Sequence, residues 1–369
     1  MRTKFIIVTK KAKSKTVKKA TLNTFSRLSP VKTTEVFDSY WRFAAERQSV
    51  FFKRIHGEKY PWTNDPIIGK YKFTNVYRST DRVSQYLIKN VIYNSDLPNT
   101  PEEVVFRIFL FKLFNKIETW ELLTKNFGTL TWEEYDFKKF DKILDRTISS
   151  GQRIYSAAYI MPSVISMGYE RKHANHLKLI EKIMTDELPD QLMSVRRMQD
   201  AFELIKALPG LGDFLAYQLL IDLNYSEVIN FSESEFVVPG PGAKGGISKC
   251  FSDLGGLNLV EIIKLMTDRQ EQEFERLGIN FQNLFGRRLQ LIDCQNIFCE
   301  VDKYSRVKHP QIKGISERTK IKQMFRANLK EIDLFFPPKW GINNKIYSDK
   351  PVVSKVKPNK TKALEGVKK

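Results

Sequence analysis

Residues Ala201–Leu223 read AFELIKALPGLGDFLAYQLLIDL. A helix with Phe202 and Ile205 turned inward stops at Leu208-Pro209-Gly210-Leu211-Gly212. A second helix starts at once, with Leu211, Leu215, Leu219 and Leu223 spaced by four, so that one face of it is apolar. The two glycines let the backbone turn tightly and approach another molecule closely. The free N–H groups at the start of the second helix then point outward and form a phosphate site that needs no side chain. Leu208, Gly210, Leu211 and Gly212 are accordingly expected to meet a nucleic-acid backbone, although a plain pair of helices joined by a glycine turn has the same pattern.

Outward from this hairpin the chain predicts a mainly α fold with few or no strands. Glu35–Ile55 is helical and aromatic-rich, and Asp81–Tyr93 resumes a helical pattern. Thr100-Pro101-Glu102-Glu103 has the form of a capping box, with Pro at the first helical position, and Thr131–Glu134 has a second. Further helices are expected at 153–166, 173–186, 194–207, 213–224, 258–278, 281–299 and 316–333. Residues 1–34 read as a basic flexible arm. Residues 35–338 read as the folded region, in two lobes, and 339–369 as a basic tail.

The chain has 369 residues and a formal net charge of +19, which points to nucleic acid or another anionic surface. Met1–Thr34 holds ten Lys/Arg and no acid, and Lys339–Lys369 holds nine Lys and two acids. The excess charge therefore sits in the ends, where it fits salt-sensitive phosphate attraction or simply solvated tails. Twenty-six Phe residues can fill a large core. Three cysteines, Cys250, Cys294 and Cys299, make no disulfide framework, so a cytoplasmic location is expected. No apolar run is long enough to span a membrane, and none has the form of a secretory signal. No metal and no cofactor is called for: the cysteines read as buried thiols, and His173 and His176 as surface histidines. No obligate protein partner is evident.

The hairpin resembles the helix-hairpin-helix of base-excision DNA glycosylases, whose turn is also Leu-Pro-Gly-x-Gly. Members that also cut the strand carry a Schiff-base lysine two positions after the last glycine. Phe214 stands there, so the resemblance implies an enzyme without lyase activity. It also implies a catalytic carboxylate about twenty residues past the hairpin, where charge stabilises an oxocarbenium-like sugar or helps water attack. Ser232 occupies the strict position, with Glu233 and Glu235 one and three places on. Glu235 is favoured because it leads into the next motif, with Glu233 and Asp222 as alternates.

That motif is Val237–Ile247, VPGPGAKGGI with its leading Val. It reads as a rigid loop before a helix at 247–254, with backbone N–H groups available to phosphate or to a flipped base; a plain interhelical loop is the alternative. It is not a Walker A loop, because Lys244 is not followed by Ser or Thr. Together with Phe73-Thr74-Asn75-Val76-Tyr77-Arg78, Asp81-Arg82, Phe114-Asn115, and Asp293-Cys294-Gln295-Asn296 through Cys299-Glu300 to Lys303-Tyr304, it resembles the α-glutamyl/putrescinyl-thymine pyrophosphorylase family. That family is related to the helical domain of 5-hydroxymethyl-uracil DNA kinases, and the resemblance covers roughly residues 35–335. It implies DNA, in particular phage DNA with modified bases, as the partner, and extrusion of the base from the stack. Gly240, Gly242, Gly245 and Tyr77 would line the base pocket, while Lys244, Arg78 and Arg82 would meet phosphates; an Asp81–Arg82 salt-bridge network is the other reading of Arg82. Some members of this family are base-modifying transferases, and an anti-phage member is a glycosylase acting on α-glucosylated 5-hydroxymethylcytosine. The expectation taken forward is a monofunctional DNA glycosylase that leaves abasic sites. A transferase acting on an activated 5-hydroxymethyl-pyrimidine and a non-catalytic DNA-binding module are the alternatives.

Overall fold

The computed structural model describes residues 29–157, 161–316, 318–330 and 332–346. Residues 1–28 of the expected arm and 347–369 of the expected tail lie outside these. Lys32–Thr33 (β1) pairs antiparallel with Phe251–Asp253 (β2), and helices make up most of the remainder, so the mainly α expectation holds. Glu35–Ile55 (α1) starts at Thr34, whose hydroxyl accepts the Val36 N–H, and ends at Gly57 with φ 75°. Pro66–Lys70 (α2) is capped by the Asp65 carboxylate, which accepts the Ile67 and Ile68 N–H groups at 2.8 and 2.9 Å. Arg82–Tyr86 (α3) runs into a π-helical turn at Leu87–Ile92. Such a turn leaves carbonyls without their usual helical donor. Here the fully buried Arg107 donates through Nε to Val91 O at 3.0 Å.

Pro101–Phe114 (α4) is apolar on every side, and all residues from Glu103 to Phe114 are buried. A helix with no polar face must be covered all round. Ile117–Phe127 (α5), Lys172–Thr185 (α7), Leu188–Ser194 (α8) and Asp213–Leu223 (α10) pack on it. Phe137–Ser149 (α6) packs on α7, and Met198–Lys206 (α9) on α10. The remaining helices gather about Leu291–Lys308 (α13), which touches α1, α2, Pro241–Cys250 (α11) and Leu259–Arg276 (α12).

Several local expectations change. Thr100 caps α4, but Glu103 does not reach back to it. The Glu103 carboxylate instead accepts the Trp132 N–H at 2.9 Å, tying α4 to the next loop. No helix follows Thr131; Asp136 caps α6 through the Lys139 N–H. Pro162 lies within the expected helix at 153–166, whose described part is irregular apart from a short 3-10 turn at Ile165–Met167. The last of the long helices starts at 291 rather than 281, because Phe285 and Gly286 both have positive φ and close a tight turn. The described residues of 316–333 form no helix. They run as a strap that donates from Phe325 N to Lys70 O and accepts at Gln323 O from Lys72 N, both at 3.0 Å. The start of the expected tail is folded down: Lys339 Nζ donates to Ser226 O and Ile229 O at 2.6 and 2.8 Å.

Candidate active site

The hairpin forms between α9 and α10. Gly210 has φ +79°, and a methyl group there would stand 2.9 Å from Val164 Cγ2. Leu211 is buried and Leu208 half-buried, while Gly210 and Gly212 face solvent. Gly212 precedes the first turn of α10, and Lys206 pairs with Asp213 across the turn at 2.9 Å. Phe214, at the position of the missing lysine, lies against Gly240, where a methyl would meet its ring at 2.7 Å.

The glycine-rich run is not a loop. Gly240 caps α11, and the helix runs from Pro241 through all of the later glycines. A methyl at Gly242 would stand 2.8 Å from Cys299 Sγ, one at Gly245 3.0 Å from Asp302 Oδ1, and one at Gly246 2.1 Å from Phe298 O. The glycines therefore let α11 lie backbone to backbone on α13 instead of lining a base pocket. Lys244 points to solvent from the opposite face. Tyr77 is also a packed residue, buried, with its hydroxyl donating to Arg287 O at 2.7 Å.

Of the three candidate acids, Glu235 is exposed. Glu233 is buried and pairs with Arg287 at 3.0 Å, whose guanidinium lies 3.9 Å over the Trp340 ring. Asp222 is fully buried, 2.8 Å from Arg78 and 3.1 Å from Lys112. Burial pushes its carboxyl up, and the two cations more than offset this and hold it below the usual range. Arg78 also donates to Gln218 Oε1 at 2.9 Å and to the Tyr225 hydroxyl at 3.0 Å. The arginine expected on phosphate is thus a buried tie between the segment after α2 and helix α10. His173 and His176 are buried as well, not on the surface. His173 sits 3.0 Å from Asp141, and His176 lies between the Tyr155 hydroxyl and Pro162 O at 2.9 and 2.8 Å.

The motifs that carry the family resemblance do converge, but elsewhere. Thr74 N donates to Glu300 at 3.1 Å, and Asn296 Nδ2 donates to Asn75 O at 2.8 Å. Lys303 holds Glu300 at 2.6 Å. Asn75 N donates to Asp81 Oδ1 at 2.9 Å, Asn75 Nδ2 donates to Thr80 O at 2.9 Å, and Arg47 bonds both Thr74 O and the Asn75 side chain. Helix α13 thereby fixes the 73–81 segment, and that segment aims Asp81 into a cleft of about 780 Å³. The cleft wall carries Arg47, Arg54, Lys72, Arg82, Lys89, Arg326 and Lys330 against Asp81, Glu121 and Asp333. Arg82 is largely exposed and 3.8 Å from Glu118, so it lines this cleft without pairing to its neighbour Asp81. Burial raises the Asp81 carboxyl to about 6, against the opposing pull of the Asn75 N–H and Arg47. A carboxylate with that affinity for protons is suited to general-base work near neutral pH.

Arg47 and Arg54 were missed because α1 reads as an aromatic-rich core helix. Their spacing of seven, two helical turns, was the signal that they share a face. Neither His/Cys content nor the glycine run pointed to the cleft. Among the described residues no group of three or more His, Cys, Asp or Glu side chains is placed to hold a metal ion, and no helix is long and apolar enough to cross a membrane.

Comparison with known proteins places the chain among relatives of a DNA-modifying kinase. The model of the 5-hmdU DNA kinase helical domain matches residues 34–314. A curated relative, the 5-hmdU DNA kinase of Bacillus phage SP10, is 29% identical over 295 residues, which cover 75% of this chain and 46% of the relative. The chain thus spans less than half the length of that relative. No solved structure matches significantly. These matches overturn the expectation of a DNA glycosylase, a hydrolase that leaves abasic sites. The named relative is a kinase, which is a transferase.

Proposed function

The chain belongs to the family of the 5-hmdU DNA kinase helical domain, and on that premise we propose that it is a transferase that installs a group on an activated 5-hydroxymethyl-pyrimidine in DNA. The observation that carries this reading is the placement of Asp81, with its raised proton affinity, in a cleft whose wall bears seven Lys/Arg side chains against three acids. An activated hydroxymethyl group is a phosphate or diphosphate ester on the C5 methylene. A nucleophile bearing a proton attacks that carbon, the C–O bond breaks, and the electron pair leaves with the phosphate. Asp81 takes the proton of the nucleophile, and Arg54 and Lys72 offset the charge of the departing anion. A pyrimidine in a duplex reaches such a cleft only by leaving the stack. The excess of Lys and Arg over the whole chain, +19, favours association with the DNA backbone.

Transfer to an already activated base is favoured over phosphorylation from a nucleoside triphosphate by the state of residues 240–246. From Pro241 on they are helical, with Gly242, Gly245 and Gly246 against α13, and so do not wrap a triphosphate. Mass spectrometry of nucleosides from treated DNA tests the proposal. DNA carrying the phosphorylated 5-hydroxymethyl base and a pool of amines and amino acids should yield a nucleoside that has lost phosphate and gained the nucleophile. Unchanged nucleosides would reject it.

A further inference from the structure

The strap at 318–330 is the most unusual stretch of the described surface. It contains Arg318, Lys320, Lys322, Arg326 and Lys330 and no acid, and all five cations are exposed. Eight large apolar side chains are exposed among the described residues, and three of them, Ile315, Met324 and Leu329, fall within fifteen residues here. Leu329 is the barest of these three, 75% exposed. Single exposed apolar residues need no explanation, but three in fifteen residues interleaved with cations mark a candidate contact stretch.

The strap is held where it meets the cleft. Residues 323 and 325 are hydrogen-bonded to Lys72 and Lys70, and Arg306 donates to Lys320 O at 3.2 Å. Beyond the strap, Phe335 N donates to Gln85 Oε1 at 2.9 Å. Asn328 and Lys330 line the cleft, and Leu329 between them does not. Leu329 is exposed outside the cleft lining, between two residues that belong to it.

We propose that this strap is a duplex-DNA-docking surface, in which Lys322 and Arg326 meet backbone phosphates and Leu329 enters the base stack beside the nucleotide that turns into the cleft. The inference rests on the transferase reading for the identity of the cleft. Five cations in thirteen residues, flanked by Glu317 and Glu331, leave a net positive stretch that complements a polyanion, and an apolar side chain beside them can fill the gap left by an extruded base, a role that polar residues fill poorly. A protein or membrane partner would use the apolar cluster but would not require a base gap.

The test uses the full chain, a pool of amines and amino acids, and a duplex with one phosphorylated 5-hydroxymethyluracil and 2-aminopurine as its neighbour. Binding is read by anisotropy and unstacking by 2-aminopurine emission. The wild-type protein should raise emission. Leu329→Ala should reduce the rise about tenfold while binding stays within about threefold, and Leu329→Phe should restore it. Lys322→Ala with Arg326→Ala should lower the slope of log affinity against log salt by about two. Wild-type emission from Leu329→Ala, or an unchanged salt slope in the double variant, overturns the inference. If the wild-type protein unstacks the neighbour but yields no altered nucleoside, the transferase reading fails and the docking surface stands. If it yields one and Leu329→Ala unstacks normally, only the docking surface fails.

Discussion

Gly246 of α11 and Phe298 of α13 approach so closely that a methyl on Gly246 would stand 2.1 Å from the Phe298 carbonyl oxygen. The partner atom is backbone and cannot swing away. Gly246→Ala should therefore push the two helices apart and destabilise the protein by about 1–3 kcal/mol or more. Urea unfolding measures this. Gly212→Ala, at a glycine with open space around it, serves as the control and should change stability by well under 1 kcal/mol.

Asp222 sits between Arg78 and Lys112 with no exposure to solvent. Asp222→Ala leaves two buried cations without their shared anion, and a loss of about 3–5 kcal/mol follows. Its carboxyl is held below the ordinary value, so the stability it contributes is present above the unfolded-state pKa and is lost as pH falls through the folded one. Denaturation midpoints at pH 7 and at pH 3 should show the difference between wild type and variant shrinking in acid.

Asp81 acts as base only when it has lost its proton, and its carboxyl titrates at about 6. Transfer should rise with pH through that value and level off above it. Asp81→Asn should lower the rate about 10²–10⁴-fold and remove this limb of the pH profile. An unshifted profile in the variant would assign the limb to another group.

Glu235 is exposed, and a charge in water gains little from its surroundings. Glu235→Gln should leave both stability and transfer within about twofold, as measured by urea midpoint and by product yield. A loss comparable to that of Asp81→Asn would return the chemistry to the loop after the hairpin.

Helix positions with clear period were legible in the sequence: α1, α7, α10 and α12 lie within a residue or two of expectation. The hairpin was legible because its two glycines and leucine spacing act locally. What misled was glycine itself. The 240–246 run suggests a loop by composition, yet its glycines serve a contact with Phe298, Cys299 and Asp302 some fifty residues away, and no local pattern reports that. Arg78 and Asp222 each had a functional reading alone, and only their pairing across 144 residues shows them to be a buried tie. The motif residues Asn75, Asp81 and Glu300 were singled out, but their convergence needed the approach of α13 to the 73–81 segment. Arg47 and Arg54 were legible only as a spacing of seven within an aromatic-rich helix.

The central claim is group transfer at a 5-hydroxymethyl-pyrimidine in DNA, with Asp81 as base. The most direct test treats DNA bearing the phosphorylated 5-hydroxymethyl base with wild-type protein and with Asp81→Asn, then weighs the digested nucleosides. The account predicts a nucleoside that has exchanged its phosphate for the added nucleophile with wild type, and little or none with Asp81→Asn. Unaltered nucleosides with wild type, or equal product from the two proteins, would contradict it.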